Sequence, residues 1–165
     1  MLTTAFALAS YIHAGQRYGN RPFISHVIDV HEVIAALYPD DVELQAAAYL
    51  HDAIEDAPEG MDARQMIAVR CGAGVLALVE AVTDEPGETR AERKAKTLPK
   101  TAAAGWRAVA LKLADRSCNM RGQAHAAMYR AELPAFRAAL FPVTAERPEL
   151  APLWAELDRL AGTSP

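Results

Sequence analysis

Alanine dominates this chain and restricts the folds open to it. The sequence holds 35 Ala residues, against 24 Val, Ile and Thr residues together. Alanine is the strongest helix former, whereas β-branched residues favour strands. With 165 residues, of which 52% are hydrophobic, the chain can bury a core without disulfides or a structural zinc ion. We therefore predict an all-α fold in a single domain spanning residues 1–165.

Charge and composition exclude several classes of protein. A formal net charge of −4 gives no reason to expect a nucleic-acid partner or an anionic membrane, and an anionic substrate would need locally placed cations. No apolar run approaches the roughly 20 residues of a membrane span, and the N-terminus does not resemble a signal peptide. Cys71 and Cys118 lack metal-site spacing and indicate reduced thiols. We expect a cytoplasmic protein; the sequence does not indicate its oligomeric state.

Glycine, proline and capping residues divide the chain into helices separated by short loops. The segment 15–22 contains two glycines and a proline and is predicted to be a loop. The highly charged segment 84–100 is predicted to be a loop followed by an exposed helix. The other predicted helices cover about 3–13, 25–38, 41–54, 62–71, 75–82, 102–120, 127–140 and 146–161.

A dense polar cluster closes the third predicted helix, where His51, Asp52, Glu55 and Asp56 follow an apolar stretch. On a helix, His51, Asp52 and Glu55 share one side. Three carboxylates so close together repel one another unless a positive charge lies among them. The cluster is either a solvated helix end with a tolerated core histidine, or a divalent metal site with acid–base carboxylates beside it.

A second candidate lies in the long helix near residue 115. Asp115 follows an apolar stretch, and a buried carboxylate needs a partner. Lys112 or Arg116 would supply an ordinary ion pair, and a metal ion is the alternative. Asn119, one turn further on, faces the same way. His26, at the start of the second helix, is a third candidate, although a lone histidine is more often structural.

Together these segments offer two imidazoles and two carboxylates, from His26, His51, Asp52 and Asp115. Mixed nitrogen and oxygen ligands suit Mn²⁺, Fe²⁺, Zn²⁺ or similar ions. A metal ion acidifies bound water, which then becomes a nucleophile near neutral pH. Glu55 and Asp56 are placed to orient or deprotonate that water. The pattern is that of a metal-dependent hydrolase.

Four segments, in this order, extend the pattern beyond the His-Asp pair: HAGQRYGNRPFISH at 13–26, LQAAAYLHDAIED at 44–56, ALVEAVTDE at 77–85 and LKLADRSCNMR at 111–121. This set resembles the hydrolase domain of the RelA/SpoT-type proteins, which belong to the HD-domain metal phosphohydrolases. The RelA/SpoT-type proteins include the stand-alone small alarmone hydrolases. The resemblance covers roughly residues 3–140.

The resemblance implies an all-helical HD-domain bundle with one Mn²⁺ ion that removes the 3′-pyrophosphate of the guanine nucleotide (p)ppGpp, giving GDP or GTP. By motif position, the metal ligands are His26, His51, Asp52 and Asp115. The catalytic acidic pair is Glu55 and Asp56. Implied substrate contacts are Arg17, Asn119, Lys94, Lys96 and Tyr129, where the lysines belong to a basic stretch that also contains Arg90 and Arg93.

Some positions depart from the family pattern without removing a ligand. Tyr18 stands where the family often has a second basic or a small polar residue, and Val27 stands where proline often follows the metal histidine. Cys118 replaces a residue that is often aromatic or histidine. These departures leave the substrate open. The alternatives are an HD-type phosphatase acting on NADPH or a nucleoside monophosphate, and a catalytically silent nucleotide-binding module.

Overall fold

The protein is described here by a computed structural model that covers residues 1–121 and 125–162. Within these ranges the regular secondary structure is helical apart from one two-stranded hairpin, so the all-α prediction is confirmed. The helices are α1 (Leu2–Ile12), α2 (Ile24–Leu37), α3 (Val42–Leu50), α4 (Ala63–Cys71), α5 (Ala73–Val82), α6 (Arg90–Ala103), α7 (Trp106–Arg121), α8 (Ala126–Thr144) and α9 (Ala151–Ala161), with a 3₁₀ turn at Pro148–Leu150. No helix in these ranges is long and apolar enough to cross a bilayer.

Two helices, α3 and α7, lie at the centre of the bundle. In α3, three successive alanines, Ala46, Ala47 and Ala48, have no solvent exposure. The helix packs against α1, α2, α5 and α7. In α7, buried side chains extend from Ala108 almost to the end of the helix at Met120, because α2, α5, α6, α8 and α9 surround it. A helix that is buried on nearly all sides lies inside the core, and the small alanine side chains allow neighbouring helices to approach closely.

Side-chain caps fix where several helices begin. The Asp41 carboxylate accepts a backbone N–H of the first turn of α3 at 3.0 Å, and Asp62 does the same for α4. Thr89 and Glu92 form a reciprocal capping box at the start of α6. Asp41 also receives two hydrogen bonds from the Arg107 guanidinium, which ties the first turn of α7 to that of α3.

The third helix is shorter than the sequence predicts. It ends at Leu50 rather than near residue 54, and the next backbone hydrogen bond is a tighter one from Ala53 N to Leu50 O at 2.9 Å. The reason is a side chain. His51 Nδ1 bonds the Ala48 carbonyl, which in a continuing helix would receive the N–H of Asp52. The polar cluster therefore lies on turns, not on a helical face.

The predicted loop at 15–22 contains a short antiparallel hairpin, β1 (Arg17–Tyr18) and β2 (Arg21–Pro22). Tyr18 pairs with Arg21 across it, and Gly19 turns the chain with a φ of 58°. A positive φ is easily adopted only by glycine. The hairpin brings Tyr18 back over the start of α2.

The boundary between α6 and α7 also differs from the prediction. Helix α6 continues through Pro99 to Ala103, and α7 begins at Trp106 rather than near residue 102. Gly105 separates the two helices with a φ of 93°. Thr97, Leu98 and Thr101 bury one side of α6 against the bundle, so α6 is only partly exposed.

Candidate active site

Three parts of the chain bring the four candidate metal ligands together. His26 lies in the first turn of α2, His51 and Asp52 lie in the turn after α3, and Asp115 lies in α7. His51 Nε2 is 3.0 Å from Asp52 Oδ2, and His26 Nε2 is 3.3 Å from Asp115 Oδ1. The two remaining imidazole–carboxylate distances are 3.6 and 3.7 Å. Ligand atoms bonded to one ion at roughly 2.1 Å lie about 3 Å apart. The ligand atoms of His26, His51 and Asp52 all lie within 4.8 Å of one another and could hold one ion, while Asp115 is close to both imidazoles but falls outside this group.

The tautomer of His51 also fits a metal ligand. Its Nδ1 lies 2.9 Å from the Ala48 carbonyl, an oxygen that can only accept, so Nδ1 carries a proton. In the neutral ring Nε2 then offers a lone pair toward the cluster. That atom is buried and has no hydrogen-bond partner among the described residues. A backbone carbonyl that orients a histidine in this way is the usual support of a metal ligand.

The electrostatics of the cluster call for a positive charge. Burial disfavours a charged His51 ring, but the carboxylates of Asp52 and Asp115 outweigh this effect and raise the His51 pKa well above its usual value. Burial likewise opposes ionisation of Asp115, yet the neighbouring imidazoles of His26 and His51 and the cation of Lys112 hold its pKa well below the usual range. A proton on the imidazole balances the carboxylates in the metal-free protein. A divalent ion would supply two positive charges in place of the one on the imidazolium.

Glu55 and Asp56 follow the ligands in the same turn. Glu55 Oε1 accepts the backbone N–H of Asp84 at 2.7 Å, which fixes the carboxylate at the edge of the cluster. Burial and the neighbouring Asp52 raise the pKa of both side chains, and that of Asp56 rises to about 6. A carboxyl group with a pKa near 6 can hold or release a proton near neutral pH. Both residues stay predictions as catalytic groups.

These side chains open onto a pocket of about 190 Å³, called here the metal pocket. Its cationic wall consists of Arg90, Lys94, Lys112 and Arg116. The rest of its lining is Tyr18, Phe23, His26, Asp52, Glu55, Asp56, Asp84, Asp115, Asn119 and Tyr129. The pocket thus combines an acidic metal cluster with four positive side chains. Arg90 and Arg116 pair with Glu132, and Lys94 pairs with Asp84, so an anionic ligand would share these cations with carboxylates already in place.

The candidate substrate contacts divide into two groups. Lys94, Asn119 and Tyr129 line the metal pocket. Arg17 is exposed, donates to the carbonyl of Asn20 and does not line the pocket. Lys96 is also exposed, and its Nζ donates to the Pro86 carbonyl at 2.8 Å outside the pocket. All five stay predictions as substrate contacts, and the position of the first three favours them.

Two cations of the wall were interpreted from the sequence only as possible partners of Asp115. Lys112 lies 3.9 Å from the Asp115 carboxylate, but its hydrogen bond goes to the Val82 carbonyl at 2.9 Å. Arg116 is 3% exposed and is packed over the ring of Tyr129. With Asp115 and Asn119 these residues lie at i, i+3, i+4 and i+7 from Lys112. That spacing places all four on one helix face and is the signal from which the wall could have been predicted.

Comparison with known proteins identifies the family. The profile of the HD domain family matches residues 5–141, which is most of the chain. The chain belongs to the HD domain family. The guanosine-3′,5′-bis(diphosphate) 3′-pyrophosphohydrolase of Drosophila melanogaster is 32% identical over 118 residues, 68% of this chain and 64% of the relative. The mouse enzyme of the same name is 34% identical over 125 residues, 73% of this chain and 68% of the relative.

A solved structure and larger relatives agree with this assignment. The structure, of a metazoan orthologue of SpoT described as hydrolysing ppGpp, has a TM-score of 0.76 and 25% identity, covering 96% of this chain and 92% of the other. The similarity to (p)ppGpp hydrolases read from the sequence is therefore confirmed. The chain spans 17% of the length of the pyrophosphohydrolase of Haemophilus influenzae, with 36% identity over 121 residues.

Proposed function

We propose that this protein is a metal-dependent phosphohydrolase that removes the 3′-pyrophosphate of (p)ppGpp, giving GDP or GTP and inorganic pyrophosphate. The observation that carries the proposal is one pocket that is lined by His26, Asp52, Asp115, the acidic pair and four cations, with His51 Nε2 3.0 and 3.6 Å from the two aspartates. The named activity of the Drosophila and mouse relatives supports the same reaction.

The residues present fit a divalent ion. Two neutral imidazole nitrogens and two carboxylate oxygens are suited to Mn²⁺ and related ions, and we infer Mn²⁺ as the cofactor. His26, His51, Asp52 and Asp115 would hold the ion. When bound there, the ion would acidify water and stabilise negative charge on a phosphoryl oxygen.

The acidic pair supplies proton transfer. Asp56, whose pKa is about 6, can take a proton from the attacking water and pass it to the ribose 3′-oxygen, which leaves as a hydroxyl group. The Asp84 backbone N–H holds Glu55 in one orientation, so its carboxylate can fix the direction in which the water approaches phosphorus. The pyrophosphoryl group under attack carries several negative charges as its bond to the ribose 3′-oxygen breaks. We assign its stabilisation to Lys94, Lys112 and the guanidinium groups of Arg90 and Arg116.

The remaining inferences follow from this reaction. The substrate is a guanine nucleotide, and we infer a cytoplasmic location, where such nucleotides are made and consumed. Asn119 and Tyr129 line the same pocket and are proposed to contact the nucleotide. NADPH and nucleoside monophosphates are the rival substrates, and they differ from (p)ppGpp in the phosphate product that they release.

The test is a coupled pyrophosphate assay with ppGpp and Mn²⁺. We expect release of pyrophosphate that requires the metal and is abolished in His51→Ala. Glu80→Gln is a matched control, because Glu80 is an exposed carboxylate of α5 that pairs with Arg64 outside the metal pocket. Release no greater than that of His51→Ala would overturn the proposal. Orthophosphate release from NADPH or a nucleoside monophosphate, without turnover of ppGpp, would replace it with the rival function.

A further inference from the structure

Tyr18 stands at the boundary between two cavities. One is the metal pocket of about 190 Å³. The other is a groove of about 550 Å³ between α2, the hairpin and the end of α7, called here the α2–α7 groove. Its lining is Tyr18, Arg21, Asp29, Glu32, Val33, Ala36, Cys118 and Arg121. Among the described residues, Tyr18 is the side chain shared by both cavities.

Three contacts hold the phenol ring in this position. The ring is stacked on His26 at a centroid distance of 4.5 Å and meets the edge of Phe23 at 6.1 Å. The hydroxyl donates to Asn119 Oδ1 at 2.6 Å. Asn119 Nδ2 in turn donates to Asp115 at 2.5 Å. Tyr18 therefore occupies one of the two acceptor positions of Asn119 Oδ1, and a substrate hydroxyl that takes this position must displace the phenol.

The size of the metal pocket also indicates that the substrate needs a second cavity. Sites for drug-sized ligands occupy about 300–1,000 Å³. At about 190 Å³ the metal pocket is below that range, so a complete nucleotide bound there would extend beyond it. The α2–α7 groove, at about 550 Å³, has the missing room and adjoins the metal pocket at Tyr18.

The lining of the groove suits a base with N–H donors. Asp29 is already paired with Arg21 at 2.9 Å, and Arg121 is paired with Glu156. Glu32 has no ion-pair partner among the described residues and can accept hydrogen bonds from a base edge. Val33 supplies apolar surface next to it.

Resting on the proposed function, we propose that Tyr18 is a specificity-determining residue that moves aside to join the two cavities. The nucleoside half of the substrate then occupies the α2–α7 groove, and a ribose hydroxyl replaces the phenol hydroxyl on Asn119. The exchange conserves one O–H donor on the same acceptor, so little hydrogen-bond energy is lost. Tyr18 lies in a two-residue strand next to Gly19. Because this strand is so short, Tyr18 can move without breaking a longer element of secondary structure.

The experiment compares two halves of the substrate. Guanosine 5′-monophosphate probes the groove and inorganic pyrophosphate probes the metal pocket, each titrated calorimetrically in the presence of Mn²⁺, together with KM and kcat for ppGpp. Tyr18→Phe keeps the ring and removes the hydroxyl that holds it closed. Glu32→Gln removes the negative charge and replaces one of the two acceptor oxygens proposed for the base with an NH₂ donor. Tyr11→Phe is the matched control, because Tyr11 is 61% exposed on α1.

One hydrogen bond removed from the closed form changes an equilibrium by roughly two- to tenfold. Tyr18→Phe should therefore lower the KM for ppGpp and the Kd for guanosine 5′-monophosphate by about that factor, with kcat and the Kd for pyrophosphate within about twofold. Glu32→Gln should raise the Kd for the nucleotide alone, and Tyr11→Phe should change nothing.

An unchanged or weakened nucleotide affinity in Tyr18→Phe would overturn the role of Tyr18, as would a parallel change for nucleotide and pyrophosphate. The two proposals fail separately. If the wild-type protein releases no pyrophosphate from ppGpp but shows the expected split in binding, the proposed function is overturned and the joined cavities stand. If it releases pyrophosphate without the split, only the role of Tyr18 is overturned.

Discussion

His51 Nδ1 donates to the carbonyl of Ala48 at 2.9 Å, and this one hydrogen bond shapes both the fold and the candidate metal centre. It occupies the carbonyl that would continue α3, so the chain leaves the helix at Leu50. It also fixes the proton on Nδ1, which leaves Nε2 free to face Asp52 and Asp115. The end of a buried helix and the orientation of a candidate metal ligand thus have the same cause.

The first prediction separates ligands from catalytic carboxylates. Asp115→Asn should lose the metal, because it removes the charge of an oxygen that faces both histidines. Glu55→Ala should keep the metal and lose turnover by at least about 100-fold, as expected for a group needed only in the reaction. Elemental analysis of purified variants measures the first property and pyrophosphate release the second. A Glu55→Ala protein without metal would show that Glu55 is itself a ligand.

The second prediction concerns pH and the metal-free protein. The carboxylates around His51 raise its pKa in the folded state, so the protonated imidazole stabilises the fold fully below about pH 6.5. That contribution is lost as the pH rises through the folded pKa. We therefore expect the Tm of the metal-free protein to fall above pH 6.5, and the increase in Tm caused by Mn²⁺ to grow between pH 6 and 8.

Calorimetry in buffers of different ionisation enthalpy gives an independent measure of the same linkage. A metal ligand must be deprotonated, so Mn²⁺ binding should release protons near pH 7. Zinc sulfate is an equivalent probe, and magnesium sulfate, which favours all-oxygen ligands, is the control. Metal binding without proton release at pH 7 would contradict the His51 assignment.

The third prediction distinguishes two lysines of α6 that the sequence treats alike. Lys94 Nζ lies in the metal pocket, 2.7 and 2.8 Å from the oxygens of Asp84, whereas Lys96 points to the Pro86 carbonyl outside it. A charged hydrogen bond contributes about 1.5–3 kcal/mol, so Lys94→Met should raise KM by roughly 10- to 100-fold. Lys96→Met should stay within about twofold. Equal effects in steady-state kinetics would mean that the phosphates lie over the outer face of α6.

The fourth prediction tests the junction between α3 and α7. Asp41 caps α3 and also binds the Arg107 guanidinium, so Asp41→Ala removes both interactions. A lost helix cap costs about 1 kcal/mol, and a partly exposed ion pair adds up to about 1 kcal/mol. Asp62→Ala, which removes the corresponding cap of α4, is the matched comparison. Urea denaturation should show the larger loss for Asp41→Ala, and equal losses would assign no stabilisation to Arg107.

Much of this architecture could be predicted from local sequence. Alanine content indicated the helices, and the caps at Asp41 and Asp62 follow from residue type and position. The end of α3 could not be predicted, because it depends on a bond from the His51 side chain that competes with the backbone. The hairpin was missed since two-residue strands carry no periodic signal.

The candidate site could also be predicted only in part. The four ligands could be chosen from residue type and resemblance, and the structure brings them within a few ångströms of one another. The cations could not be ranked, because the side of α6 that faces the metal pocket depends on how α6 packs against α7 and α8. Arg116 was read as an ordinary ion-pair partner, although it lies buried in the wall of the pocket.

The most direct test of the account is the identity of the phosphorus-containing products. Phosphorus NMR of ppGpp incubated with the Mn²⁺-loaded protein should show GDP and inorganic pyrophosphate appearing together in equal amounts, with no orthophosphate. The same spectrum recorded with Asp115→Asn should show unchanged ppGpp. Orthophosphate as the first product, or intact ppGpp with the metal-loaded wild-type protein, would contradict a 3′-pyrophosphohydrolase built on His26, His51, Asp52 and Asp115.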